Sequence, residues 1–110
     1  MTQDEISRLP KDRLIALAKL AAESAGGDHY GLMVLKGCTE PGGFNPLINS
    51  DHAMIVAAQL DMTISFGDSV VLVTEPDGLE SRTIEYTATG RIAAMRKAIT
   101  LLAADSAQYI

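Results

Sequence analysis

The sequence lacks several features that would place it in a class of protein at once. It contains one cysteine, Cys38, in 110 residues, so it has no internal disulfide and a reducing cytoplasm is the simplest compartment. No apolar run approaches the roughly 18 residues of a membrane span. The N-terminal stretch MTQDEISRLPKDR is polar and mixed in charge, unlike a secretory signal peptide. We therefore expect a cytoplasmic protein with no membrane partner.

Positive charge is missing from the middle of the chain. Residues 37–80 carry seven acidic side chains and neither Lys nor Arg, in a chain whose formal net charge is −5. The acidic residues are Glu40, Asp51, Asp61, Asp68, Glu75, Asp77 and Glu80. Such a stretch repels phosphate backbones, so we expect no nucleic-acid partner. It is interpreted as a solvated face, with a docking surface for a basic protein partner as the alternative.

The composition that remains is ordinary for a globular protein. Hydrophobic residues make up 47% of the chain and charged residues 21%, which is unlike a disordered segment. A length of 110 residues corresponds to one domain, 1–110, that can bury a core without disulfides or a metal. The sequence therefore predicts a single acidic domain.

Residues near the N-terminus predict where the first of three helices begins. Thr2 and Glu5 have the spacing of a capping box, although Pro10 interrupts the helix that would follow. Pro10 suits the first position of a main helix that runs to about Ser24. This helix presents a broad apolar face, so we expect it to pack on the core.

Two more helices are predicted further along the chain. Asn49 or Ser50 can cap a short helix over residues 51–60. Thr89 opens a long last helix over residues 90–104. Its predicted buried stripe comprises Ile92, Met95, Ile99 and Leu102. Leu101 points away from this stripe, and we hypothesise that it contributes to a homodimer contact.

Four segments have the pattern of β-strands. The run 29–36 is short and largely apolar, as in a strand with both faces covered. The other three segments are 62–66, 70–75 and 82–88. Turns, the first at Gly67-Asp68, separate these three, so we expect an antiparallel meander with 70–75 at its centre.

The order of elements predicts the fold class. Helices and strands are not strictly alternating, which favours an α+β domain. Two of the strands are apolar on both faces, so we expect an antiparallel sheet of about four strands with helices packed on both sides. This is a three-layer α/β/α sandwich. A one-sided, two-layer arrangement is the alternative.

Residues that commonly carry catalysis are few and isolated. His52 and Cys38 have no basic, acidic or metal-binding partner at a recognised spacing. Asp51 is adjacent to His52, but neighbours on a helix do not face each other. We therefore predict no catalytic residues, no metal site, no cofactor and no enzymatic activity.

The loop over residues 38–49 is the best candidate for a binding site. It is longer than most connections in a small domain, and it contains Phe44 and Leu47. These side chains are expected to dock on the core rather than face a partner. Asn45 and Asn49 are expected to hold the loop through hydrogen bonds to the backbone. The predicted binding residues are Phe44, Asn45 and Asn49.

Three segments of the sequence resemble a known family. They are Phe44–Asn49 (FNPLIN), the following stretch DHAMIVAAQLDMTISF, and residues 89–96 (TGRIAAMR). Over roughly residues 44–104 the chain resembles the phage ABA-sandwich domain family, whose members are small proteins of unknown function from phages, prophages and bacterial genomes. Ser50 and Gly90 stand where the family has Trp and Pro. The resemblance implies a sheet between helical layers and no activity or cofactor.

These observations favour one function and leave another open. The leading hypothesis is a non-enzymatic accessory or interaction protein of prophage origin, with a protein partner. The alternative is a small ligand-binding or regulatory module whose pocket lies under the 38–49 loop. A small cytosolic enzyme that uses His52 or Cys38 is the least favoured hypothesis.

Overall fold

The computed structural model describes residues 1–38, 43–87 and 90–110. These residues form five helices and three strands, which confirms the α+β class. The elements are α1 (Gln3–Ser7), α2 (Lys11–Ala25), α3 (His29–Gly37), α4 (Ser50–Gln59), β1 (Thr63–Gly67), β2 (Val70–Thr74), β3 (Ser81–Glu85) and α5 (Arg91–Ala107). Glu40, Ala88 and the predicted cap Thr89 lie outside the described residues.

The three strands form the predicted antiparallel meander. The strand order is β1-β2-β3, so β2 is central as expected. The register aligns Ile64 with Val73 and Val71 with Ile84, and these side chains share the buried face of the sheet. The first hairpin turn lies one residue later than predicted, at Asp68 and Ser69, because Gly67 is still paired with Val70.

The predicted fourth strand is wrong, because residues 29–37 form helix α3. The Asp28 side chain caps this helix by accepting a hydrogen bond from the Gly31 backbone N–H at 3.0 Å. A short apolar run has no periodicity that separates a buried strand from a helix. The run holds only one β-branched residue, Val34, and is otherwise rich in helix-forming Leu, Met and Lys.

The expected packing of helices on both faces of the sheet is not confirmed. Helix α5 lies against β2 and β3 on one side and against α2 and α4 on the other, so a helix occupies the middle of the domain. On the opposite face of the sheet, Ser65, Leu72 and Thr83 are exposed. One solvated face is common for antiparallel sheets, and it corresponds to the predicted alternative of a one-sided sheet.

The central position of α5 changes which of its residues are buried. Ile99 and Leu102 are fully buried as predicted, but Ile92 is 59% exposed. Leu101, expected to lie off the buried stripe, is only 2% exposed because it packs with Ile6 and Leu14 of the two N-terminal helices. A helix enclosed on several sides has no single buried stripe. The observation that motivated a homodimer is therefore absent from the structure.

Two predicted helix caps are confirmed. The Thr2 hydroxyl accepts from the Glu5 backbone N–H at 3.2 Å, while the Glu5 carboxylate accepts from the Thr2 backbone N–H at 3.1 Å. These hydrogen bonds, led by that of the backbone N–H, lower the pKa of Glu5. Asn49 caps α4 by accepting from the His52 backbone N–H at 3.1 Å.

A buried ion pair joins the sheet to the helices. Arg82 of β3 donates two hydrogen bonds to the carboxylate of Asp105 in α5, at 2.6 and 2.7 Å. Nη1 donates to the Ser7 hydroxyl at 2.7 Å, and Nη2, which also donates to Asp105, donates to the Gln3 carbonyl at 2.9 Å. Both acceptors are in α1. Asp105 is fully buried and Arg82 is 8% exposed. This bidentate pair therefore fixes α1 and β3 against the C-terminal end of α5.

Candidate functional site

The described part of the predicted loop docks largely on the domain itself. Phe44 is 6% exposed and belongs to the main hydrophobic core, and Pro46 is fully buried. Leu47 is half-buried. Ile48, in contrast, is 72% exposed. The segment thus uses its first apolar side chains as anchors and presents Ile48 at the surface.

Hydrogen bonds within the segment fix its backbone. Asn45 Oδ1 accepts from the Leu47 backbone N–H at 3.1 Å, and Asn49 caps α4. Arg96 of α5 donates through Nε to the Leu47 carbonyl at 3.0 Å and through Nη1 to the Ser50 hydroxyl at 3.0 Å. The sequence gives no signal for this role of Arg96, because its acceptors are 46 and 49 positions away along the chain.

Cys38 and His52 meet at the edge of this segment, although their spacing in the sequence gave no indication of it. Cys38 Sγ lies 4.0 Å from His52 Nε2. The other ring nitrogen, His52 Nδ1, accepts from the Asn45 backbone N–H at 3.0 Å. The imidazole also stacks on Phe44, with ring centroids 5.3 Å apart.

The direction of these contacts decides what His52 can do. A nitrogen that accepts from a backbone N–H is unprotonated, so in the neutral ring the proton is on Nε2 and faces the sulfur. The imidazole therefore offers Cys38 a donor, not the lone pair that a general base requires. In this geometry His52 has a structural role, because its ring links α4 to the Asn45 backbone.

A groove of about 470 Å³ lies beside the docked segment. Its walls come from the junction of α1 and α2, from residues 45–48 and from the first half of α5. The lining residues are Ser7, Leu9, Lys11, Leu14, Ile15, Asn45, Leu47, Ile48, Ala93, Lys97 and Leu101. A volume of this size is in the range of ligand-binding pockets, which combine an apolar lining with a few polar groups.

Only one of the three predicted binding residues lines the groove. Asn45 is part of its wall, whereas Phe44 lies in the core and Asn49 caps α4. The lysines Lys11 and Lys97 line the groove and were not predicted as site residues. Their separation along the chain left no motif, because the groove forms only when α5 packs beside α2.

A second, shallower depression lies between α3 and α4. It is lined by Tyr30, Met54 and Ile55, among others, and Gln59 forms part of its wall. Gln59 is 5% exposed, and its Oε1 accepts from the Asp28 backbone N–H at 2.7 Å. Its Nε2 has no hydrogen-bond partner among the described residues. A buried donor without a partner is uncommon in folded proteins.

Comparisons with known protein families, with curated proteins and with solved structures find no match. The resemblance to the phage ABA-sandwich domain family therefore gains no support from them and stays a prediction. Within residues 1–38, 43–87 and 90–110, no three His, Cys, Asp or Glu side chains are grouped as metal ligands. No helix in the same residues has both the length and the apolar character to cross a membrane.

Proposed function

We propose that this protein is a non-enzymatic binding module and that the groove beside residues 45–48 is its ligand site. The groove itself is the observation that carries the proposal. It is enclosed by three elements, and Leu14 and Leu101 in its lining are nearly buried. Mostly apolar concavities of this size, with a few polar groups, are typical of small-molecule sites.

The groove is also held in place before any ligand arrives. Arg96 fixes Leu47 and Ser50 from α5, while the hydrogen bond between Asn45 and His52 fixes the start of the wall. A pre-formed site avoids the ordering cost that a flexible loop would incur on binding. The arrangement supports binding, and the orientation of the His52 ring favours a structural role over general-base chemistry.

A substitution that fills the groove tests this proposal. Ala93 is an exposed residue of α5 in the groove wall, so Ala93→Phe should block the site without disturbing the core. The matched control is Ala16→Phe, at an exposed position of α2 outside the groove. The probe is N-phenyl-1-naphthylamine, an uncharged apolar dye whose fluorescence rises on binding.

We expect the wild type and Ala16→Phe to bind the dye with the same affinity. Ala93→Phe should bind it at least tenfold more weakly while keeping its melting temperature. Equal binding by all three proteins, or no binding by the wild type, would contradict a ligand site in the groove.

An accessory protein of prophage origin with a protein partner is the second candidate function. The depression between α3 and α4 favours it, because its lining includes the exposed apolar side chains of Tyr30 and Met54. The test is copurification with the products of neighbouring genes. Met54→Glu should abolish it, whereas Met33→Glu, at an exposed residue outside the depression, should not. Equal capture by both variants would exclude this surface.

A further inference from the structure

We propose that the ligand of the groove is an amphipathic anion, a small molecule with an apolar body and a carboxylate that Lys11 and Lys97 bind. This inference rests on the proposed binding function and names the class of ligand. The two lysines are the only charged residues among the described residues that line the groove. A lining that has charge of one sign selects ligands of the opposite sign.

The positive groove contrasts with the rest of the molecule. The chain has 14 acidic and 9 basic side chains, so its average surface repels anions. Lys11 and Lys97 are exposed and form no salt bridge with any described residue. Arg96, which holds the adjacent wall, donates its hydrogen bonds to a carbonyl and a hydroxyl, so no acidic group in the described part of the chain neutralises it there. The groove is therefore a local basic site on an acidic protein.

The apolar part of the groove determines the other half of the ligand. The aliphatic part of the lining comprises Leu9, Leu14, Ile15, Leu47 and Leu101. A ligand with only a charged group would leave this surface wet, whereas an alkyl or aryl body gains about 25 cal/mol for each Å² it removes from water. Ile48, which is 72% exposed, would be covered in part by such a body.

Asn45 provides a second polar contact for the head group. Its Oδ1 is already engaged by the Leu47 backbone N–H, which leaves the amide nitrogen as a donor. Two ammonium groups and one amide donor suit a carboxylate, which accepts several hydrogen bonds. The concave shape, with walls on three elements, favours a small molecule over a peptide or a membrane surface.

The test uses three probes with the same alkyl chain: decanoate, decanol and decyltrimethylammonium. Affinities are measured on the intact protein by displacement of N-phenyl-1-naphthylamine and by calorimetry. We expect decanoate to bind about tenfold or more tightly than decanol, and the cation to bind weakest. Raising the salt concentration should weaken decanoate binding and leave decanol unchanged, because salt screens exposed charges.

Variants connect this selectivity to the two lysines. Lys11→Gln and Lys97→Gln should each weaken decanoate binding roughly two- to tenfold and leave decanol binding within a factor of two. Lys36→Gln is the matched control, an exposed lysine of α3 outside the groove. It should change neither affinity.

The outcomes separate this inference from the proposed function. Equal affinity for decanoate and decanol, or unchanged selectivity in both lysine variants, would overturn the anion inference while the groove remains a binding site. Preference for the cation would also overturn it. If neither the dye nor any of the three probes binds the wild type, both proposals fail. Weaker decanoate binding by both lysine variants with unchanged decanol binding supports the inference.

Discussion

Two arginines, Arg82 and Arg96, hold two regions of this domain together in different ways. Arg82 lies 8% exposed against the carboxylate of Asp105, and its four hydrogen bonds end on α1 and α5. Arg96 is half-buried and holds residues 47 and 50 through a carbonyl and a hydroxyl. The first region is electrically neutral and closed, whereas the second keeps its positive charge beside an open groove.

The difference shows how one type of side chain serves two purposes. A buried guanidinium needs a carboxylate, because a desolvated charge without a partner is very unfavourable. A guanidinium near the surface can hold a loop through neutral acceptors, because water still solvates part of it. The Arg82 region therefore fixes the fold, and the Arg96 region fixes a wall of the candidate ligand site.

The largest effect should come from breaking the closed region. Asp105→Asn leaves Arg82 buried without its counter-ion, and we expect a loss of about 3–5 kcal/mol in the free energy of unfolding. The measurement is urea denaturation at neutral pH. The control is the double variant Arg82→Met, Asp105→Leu, which removes both charges and should lose less. A single-variant loss below about 1 kcal/mol would show that Arg82 relaxes into water.

The core between the two regions provides a reference for these losses. Ile99→Ala and Leu102→Ala should each lower the free energy of unfolding by about 2–5 kcal/mol, because both side chains are fully buried in α5. Ile92→Ala on the same helix should lose less than about 0.5 kcal/mol, since Ile92 is 59% exposed. Equal losses at positions 92 and 99 would mean that α5 is rotated from the orientation described above.

Breaking the Arg96 region should lower the free energy of unfolding less than breaking the Arg82 region, but it should weaken ligand binding more. Arg96→Met removes a half-buried cation together with its two hydrogen bonds. We expect the free energy of unfolding to fall by about 1–2 kcal/mol. Dye binding in the groove should fall as well, because residues 47–50 lose their anchor. Arg13→Met, at an exposed arginine of α2, is the control for charge and should change neither property. A stability loss as large as that of Asp105→Asn would erase the contrast between the two arginines.

The smallest effect is the pH dependence of the capping box of α1. This helix belongs to the Arg82 region, because its Gln3 carbonyl accepts a hydrogen bond from Arg82. Because folding lowers the pKa of Glu5, the ionised form stabilises the helix above the ordinary glutamate range of about pH 4. That contribution is lost as the pH falls through the lowered pKa. An NMR titration of the Thr2 amide measures it, and Thr2→Ala should move the midpoint upward. An unmoved midpoint would contradict the role of Thr2.

Local features of the fold could be predicted from the sequence. The capping box at Thr2, the Asn49 cap and the antiparallel meander each depend on a few adjacent residues. Residues 29–37 show where such reasoning fails, because a short apolar run suits both a strand and a helix. Asp28 was the missed signal, since an Asp three residues before Gly31 is a helix cap.

Features that depend on distant contacts could not be predicted in the same way. Arg82 is buried on the same face of β3 as Ile84, but nothing in the sequence identifies Asp105 as its partner. A single-stripe pattern places Leu101 outside the buried face, because it cannot represent a helix that is surrounded on several sides. The groove has no motif for a related reason. Its lysines lie on two helices that meet only in the folded domain.

The central position of helix α5 also bears on how the domain folds during synthesis. The sheet and the helices α2 and α4 make their main contacts with α5 rather than with one another, and α5 follows all of them along the chain. A nascent chain that ends before residue 91 contains the sheet and the helices α2 and α4 but lacks α5, which packs between them. We therefore expect the domain to fold stably only after α5 has been synthesised, with apolar core surface exposed until then.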